Sequence, residues 1–228
     1  MSKNIETDKQ RNEYWIQQWT DKKINFHQDL FEPFLEKHFP VMGPTTILIP
    51  LCGKSKDILF FTQRGHQVIG IEVSELACDA FFLENGIEYG TENIENFKIY
   101  KSKCVTIYCG DFFKVKPEFM NAVSFIYDRA ALIALPKDAR KNYVEYLLAL
   151  SSNNAEIAKT ILLISLEYTS KERTGPPFSV DKIEIESLYG NSFEVREVES
   201  VEDRAINKTH EGFQSAIVLE RVYLLNQK

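Results

Sequence analysis

The chain has 228 residues, 44% of them hydrophobic, and 33 acidic against 27 basic side chains give a formal charge of -6. A chain of this length suits one globular domain that buries roughly 70–75% of its unfolded surface, and the acidic balance argues against a strong pull toward nucleic acid or an anionic membrane. The opening stretch MSKNIETDKQRNEYW has no signal-peptide core, and apolar runs such as 160–166 are strand-length, far short of a membrane span.

The first 45 residues read as a helical cap, with Trp15 and Trp19 one turn apart and a second apolar stripe at Phe31, Phe34, Leu35 and His38. Residues 46–50 form a buried strand and 54–64 a helix stopped by Gly65. Residues 67–72 are a second strand, followed by a helix from about 75 to 84 that ends at Asn85-Gly86. Segment 86–104 is read as loop. Short β-branched or aromatic runs at 105–109 and 122–127 are further strands.

Residues 137–150 form a helix whose apolar positions Ala139, Tyr143, Tyr146, Leu147 and Leu150 share one face. Segment 160–166 is apolar on both faces, as in the middle of a parallel sheet. The last third changes character, with a helix near 181–189 and strands at 192–199 and 215–225. Those two strands are expected to pair antiparallel through the polar stretch 200–214. The alternation between 46 and 166 describes an open, doubly wound α/β sheet with its ligand at the carboxyl ends of the strands.

ILIPLCGKSKDILFF, residues 47–61, has the outline of a phosphate loop. Leu48 stands where the second glycine of such a loop is needed, and Pro50 removes an N–H that would cradle phosphate. Gly53 follows the first strand, and Glu72 ends the second nineteen residues later. An acid there accepts hydrogen bonds from the ribose hydroxyls of an adenosine ligand; a solvated strand end is the plainer alternative. Dinucleotides want G-x-G-x-x-G, whereas this turn has a single glycine. It suits S-adenosylmethionine, which carries no phosphate and whose ammonium tolerates a nearby carboxylate such as Asp57. After the third strand, Asp111 and Phe112 either bracket adenine or form an ordinary polar turn with a core phenylalanine.

Four cysteines (Cys52, Cys78, Cys104 and Cys109) lack a CxxC pair, and the histidines lack ligand spacing. No disulfide framework or metal site is expected, and a reducing cytoplasm is the expected location.

YWIQQW with a downstream Phe26-His27-Gln28, then PLCGKS, RGHQVIGIEVSEL, YDRAAL, GPPF and VYLL, occur in that order. From about residue 12 to the C-terminus the chain resembles the thiopurine S-methyltransferase family, a branch of the class I S-adenosylmethionine-dependent methyltransferases. The resemblance implies a doubly wound, seven-stranded Rossmann-like sheet with its last strand antiparallel, and one methyltransferase domain spanning 1–228. Residues 1–45 would be a lid whose aromatics close over a sulfonium cation. It implies cofactor contacts from Trp15, Trp19, Phe26, Leu51, Gly53, Glu72, Asp111, Phe112 and Arg129.

On the acceptor side the resemblance implies Phe26, Arg129, Pro177 and Arg204. Arg129 would offer a planar cation to an anionic acceptor or to the donor's carboxylate; pairing with Asp128 at the surface is the alternative.

The implied activity is in-line transfer of the methyl group of S-adenosyl-L-methionine to a small, thiopurine-like aromatic or heterocyclic thiol, leaving S-adenosyl-L-homocysteine. Detoxified selenium or tellurium species are alternative acceptors. An NAD-dependent oxidoreductase, a nucleic-acid methyltransferase and a non-enzymatic adenosine-binding module stay open as other readings. No catalytic residue is assigned. His27 and Asp128 are the nearby candidate bases, with acid–base assistance expected to be weak or absent. A monomer without nucleic-acid or membrane partners is expected.

Overall fold

The computed structural model describes residues 8–120, 122–151, 160–169, 175–202 and 217–228. Two helices, α1 (Asp8–Thr20) and α2 (Phe34–His38), precede the sheet. The alternating part runs β1 (Thr46–Ile49), α3 (Asp57–Thr62), β2 (Gln67–Glu72), α4 (Glu75–Glu84), β3 (Gly90–Ile94), β4 (Phe97–Lys101) and β5 (Val105–Cys109). It continues with β6 (Val123–Arg129), α5 (Lys137–Ser151), β7 (Thr160–Tyr168), α6 (Lys182–Tyr189), β8 (Phe193–Glu202) and β9 (Val218–Gln227).

All these strands join one sheet in the order β3-β4-β5-β2-β1-β6-β7-β9-β8. β1 runs parallel to both β2 and β6, with Leu48 opposite Ile69 on one side and Ile126 on the other. β9 inserts antiparallel between β7 and β8, as expected of the last strand. Among the described residues the sheet has nine strands rather than seven. The two additional strands are the hairpin β3–β4, inside the segment read as loop. β3 is exposed along its whole length, so GTENI carries none of the alternation that marks a half-buried strand. Its partner supplies the packing through Phe97, Ile99 and Tyr100, and a two-residue turn with Glu95 at φ 53 closes the pair.

Successive residues of the central strands point to opposite faces, and both faces are covered. Leu48, Ile71, Ile126 and Leu163 pack with Tyr143, Leu147 and Leu150 of α5 and with Ile185 and Tyr189 of α6. On the other face Ile47, Ile49, Phe125 and Leu162 meet Phe60 and Phe61 of α3 and Phe81 and Phe82 of α4.

Helix starts follow local chemistry. The Ser74 hydroxyl accepts the Ala77 N–H at the head of α4, and Asp181 accepts the Glu184 N–H at 2.8 Å at the head of α6. Helix α3 is shorter than its predicted 54–64, because the residues before it stay in a turn around the left-handed Gly53. Among the described residues, no helix is long and apolar enough to cross a membrane.

The turn after β1 packs tightly onto β2. A Cβ added at Gly70 would lie 2.7 Å from the Cys52 Sγ and 3.3 Å from Ile107. Gly70→Ala is therefore expected to cost about 1–3 kcal/mol through overpacking. A urea titration of the two proteins measures the loss.

Candidate active site

Between β1 and β6 the chain connections leave the sheet in opposite directions, which opens a crevice at the carboxyl ends of the strands. A cavity of about 800 Å³ lies there, within the ~300–1,000 Å³ typical of small-ligand sites. It is lined by α1 and the segment after it, by the turns that follow β1, β2, β5 and β6, and by Pro176 and Pro177.

The first turn is held by the end of the second strand. Glu72 Oε2 accepts the Gly53 N–H at 2.8 Å, and Oε1 accepts the Ser74 N–H at 2.8 Å. The side chain is buried, so Glu72 is no solvated strand terminus. Burial pushes its carboxyl pKa up, and the N–H groups of Ser74 and Gly53 pull it back.

Leu51 (φ 47) and Gly53 (φ 53) both adopt left-handed backbone, which lets the turn fold back across the strand tips. Trp19 lies directly on that turn; a Cβ at Gly53 would sit 3.0 Å from its Cζ2 atom. Phe26 meets Trp15 and Trp19 edge to face at 5.4 and 5.5 Å, completing an aromatic wall.

The two lysines that lent the turn its phosphate-loop outline are spent on α4 and the residue after it. Lys54 Nζ bonds both Glu84 oxygens at 2.7 and 2.9 Å, and Lys56 bonds Asn85 at 2.6 Å.

Arg129 ends β6 and is paired, but not with Asp128. Its Nε donates to Asp57 Oδ2 at 2.6 Å and its Nη2 to Ser55 Oγ at 3.2 Å. Asp57 is buried and accepts two more donors: the Glu32 N–H at 2.7 Å and the Tyr127 hydroxyl at 3.2 Å. A carboxylate so committed to the protein is unsuited to face a donor's ammonium, contrary to the sequence reading of Asp57.

Asp128 points elsewhere. It accepts the Tyr143 hydroxyl at 2.7 Å and the Leu132 N–H at 3.1 Å, and it is absent from the cavity wall. Burial pushes its carboxyl up to about 6. His27 does line the cavity, where burial and then the charge of Lys54 lower its pKa and favour the neutral ring.

Trp15, Trp19, Phe26, Leu51, Gly53, Glu72, Phe112, Arg129 and Pro177 all border this one cavity. Asp111 does not; its carboxylate accepts the Phe113 N–H at 3.0 Å and so starts a short 3₁₀ turn. Arg204 lies outside the described residues. Pro177 is steadied by the Tyr168 hydroxyl, which donates to its carbonyl at 2.6 Å. The apolar side chains of Ile133, Leu135 and Leu166 share its end of the wall.

Arg11, Ser55 and Glu220 also border the cavity, and no sequence motif marks Arg11 or Glu220. The sequence carries no signal for the Asp57 pairing, because the acid next to Arg129 is Asp128 and Asp57 lies 72 residues away.

Central parallel strands, an inserted antiparallel last strand and a one-glycine turn over the acid of β2 define a class: this is the fold of the S-adenosylmethionine-dependent methyltransferases. A methyltransferase of that kind from Anabaena variabilis superposes with a TM-score of 0.65 at 16% identity, covering 95% of each chain. The Burkholderia thailandensis 1,6-didemethyltoxoflavin-N1-methyltransferase, crystallised with S-adenosylhomocysteine, gives 0.61 at 14% identity over 95% of this chain and 87% of that one.

The chain belongs to the thiopurine S-methyltransferase family, whose model matches residues 10–228. The thiopurine S-methyltransferase of Marinobacter nauticus is 38% identical over 189 residues, 82% of this chain and 84% of the relative. That of Shewanella frigidimarina is 35% identical over 218 residues, 94% of this chain and 98% of the relative.

Asp128 generates a pH-dependent stability. Its native pKa of about 6 stands above the ordinary 3.8, so the native state holds this proton more tightly than the unfolded chain does. Stability linked to Asp128 is thus greatest below the unfolded value and declines as pH rises through the native one, by roughly 2–4 kcal/mol in all. Chemical denaturation of wild type and Asp128→Asn between those two pH values is expected to show the decline in the wild type and a flatter profile in the variant.

Proposed function

We propose that the protein transfers the methyl group of S-adenosyl-L-methionine to a small aromatic or heterocyclic thiol. One observation carries this reading: Glu72 and Gly53 form a glycine-and-carboxylate cradle beneath Trp19, with the neighbouring lysines tied to α4 and its end. The cradle fits an adenosine without phosphates.

When bound, the donor supplies a methyl group already activated on a sulfonium. Glu72 retains lone pairs beside those accepting Gly53 and Ser74, and with them it would take the ribose hydroxyls. Phe112 and Leu51 would wall the adenine, and Trp15, Trp19 and Phe26 would present ring faces and edges to the cationic end. Asp111 has no part in this set. The chain acts as one methyltransferase domain over 1–228, with residues 1–45 as the lid.

Among the acceptor-side residues, Phe26 and Pro177 flank the space in which the thiol is held, and Arg129 supplies positive charge. A heteroaromatic thiol is readily ionised near neutral pH, so alignment and charge matter more than a strong base. An ionised thiol has no proton to lose, so neither Asp128, sealed by its own partners, nor His27 at the wall is needed as a base. We place the enzyme in the cytoplasm as a monomer.

Calorimetry with S-adenosylhomocysteine tests the cradle. Selective binding over NADH and ATP is expected, weakened at least about tenfold in Glu72→Ala and accompanied by a change in tryptophan fluorescence. Equal binding of NADH, or indifference to Glu72→Ala, would contradict it. For the chemistry, His27→Ala is expected to keep kcat/KM within about threefold with a thiol ionised at the assay pH. A loss of two orders of magnitude would make His27 a participant.

A further inference from the structure

We infer that Asp57 is the positioning residue of Arg129: it fixes the guanidinium so that the remaining Nη N–H groups face the ligand, and its Oδ2 acts on the reaction through Arg129 alone. The inference rests on the proposed reading of Arg129 as the cation of the site.

Three donors from two separate segments converge on this buried carboxylate. Arg129 Nε arrives from the end of β6 at 2.6 Å, the Tyr127 hydroxyl from the same strand at 3.2 Å, and the Glu32 N–H from the segment before α2 at 2.7 Å. Ser55 adds a second hold on the guanidinium, through Nη2 at 3.2 Å.

A guanidinium has five N–H donors in one plane. Anchoring it through Nε and one Nη2 hydrogen fixes that plane and leaves the Nη1 edge for another acceptor. Asp57 and Arg129 both border the cavity, yet three of the carboxylate's roughly four lone-pair sites are already filled by protein. Asp57 is therefore placed to orient, and Arg129 to touch.

The Glu32 contact gives the arrangement a second consequence. Segment 25–33, which carries Phe26 and His27 on the cavity wall, is fastened to the same carboxylate that holds Arg129. The wall rests on Oδ1 and the cation on Oδ2, so Asp57→Asn, which keeps an oxygen for the Glu32 N–H, removes only the hold on Arg129. Burial opposes the Arg129 charge, and the Asp57 carboxylate bonded to it holds it in place.

A double-mutant cycle on the full chain tests this, using Asp57→Asn, Arg129→Gln and the pair together. The readouts are kcat and KM for a thiophenol acceptor and the calorimetric Kd of S-adenosylhomocysteine. Asp57→Asn is expected to lower kcat/KM roughly 10–100-fold. It should alter the same constants as Arg129→Gln, whichever those are, and the double variant should be no worse than Arg129→Gln within about threefold.

Losses that multiply, or that fall on different constants, would overturn the inference. So would an Asp57→Asn enzyme that melts earlier yet keeps its kcat/KM, since that is the signature of a purely structural ion pair. Should Arg129→Gln fail to fold with Asp57 left uncompensated, Arg129→Lys takes its place; it keeps the counter-charge and loses the planar Nε–H. Wild type that methylates no thiol at all is a different result, and would strike at the proposed function instead.

Discussion

The site depends on two carboxylates that the fold has removed from water. Glu72 takes an N–H from Gly53 on one oxygen and from Ser74 on the other, and thereby joins the turn after β1 to the end of β2. Burying such a charge is costly unless donors meet it, and here two backbone groups do. The cost has a geometric return, because the first turn is pinned in left-handed backbone close to the strand tips. Trp19 can lie on Gly53 only because no side chain is there.

Asp57 plays the corresponding part for β6. Its pairing with Arg129 fixes a cation at the switch between β1 and β6, and the Glu32 N–H ties the chain segment leading into α2 to the same point. A pair buried this way is no simple source of stability: removing one partner typically costs about 3–5 kcal/mol, whereas replacing both with apolar groups is often neutral. What the pair secures is orientation. Two acids thus fix the turn after β1 and the end of β6, and most of the residues that line the cavity are aromatic or apolar.

Much of this was legible in the residues. β2, α4 and β5 fall where their apolar runs and Gly or Asn stops place them, since local pattern and tertiary position agree there. Gly53 and Glu72 were readable as a pair because strand ends fix their spacing. β3 was not readable, because its five residues are exposed and borrow their conformation from β4. Nor was the partner of Arg129. Asp128 is adjacent in sequence, but neighbouring residues on a strand face opposite sides, so it turns to Tyr143 while Arg129 reaches across the sheet tips to Asp57. Asp111 illustrates the same limit, since a short acid after a strand often serves its own turn first.

The reaction proposed for this site is methyl transfer to sulfur. Its most direct test is mass spectrometry of a reaction containing the protein, a thiophenol and S-adenosylmethionine labelled with deuterium in the transferred methyl. The expected result is a thioether carrying the intact deuterated methyl, formed in step with S-adenosylhomocysteine and abolished when the protein is omitted. Tight binding of S-adenosylhomocysteine with no labelled thioether, from this thiol or from a panel of heterocyclic thiols, would contradict it.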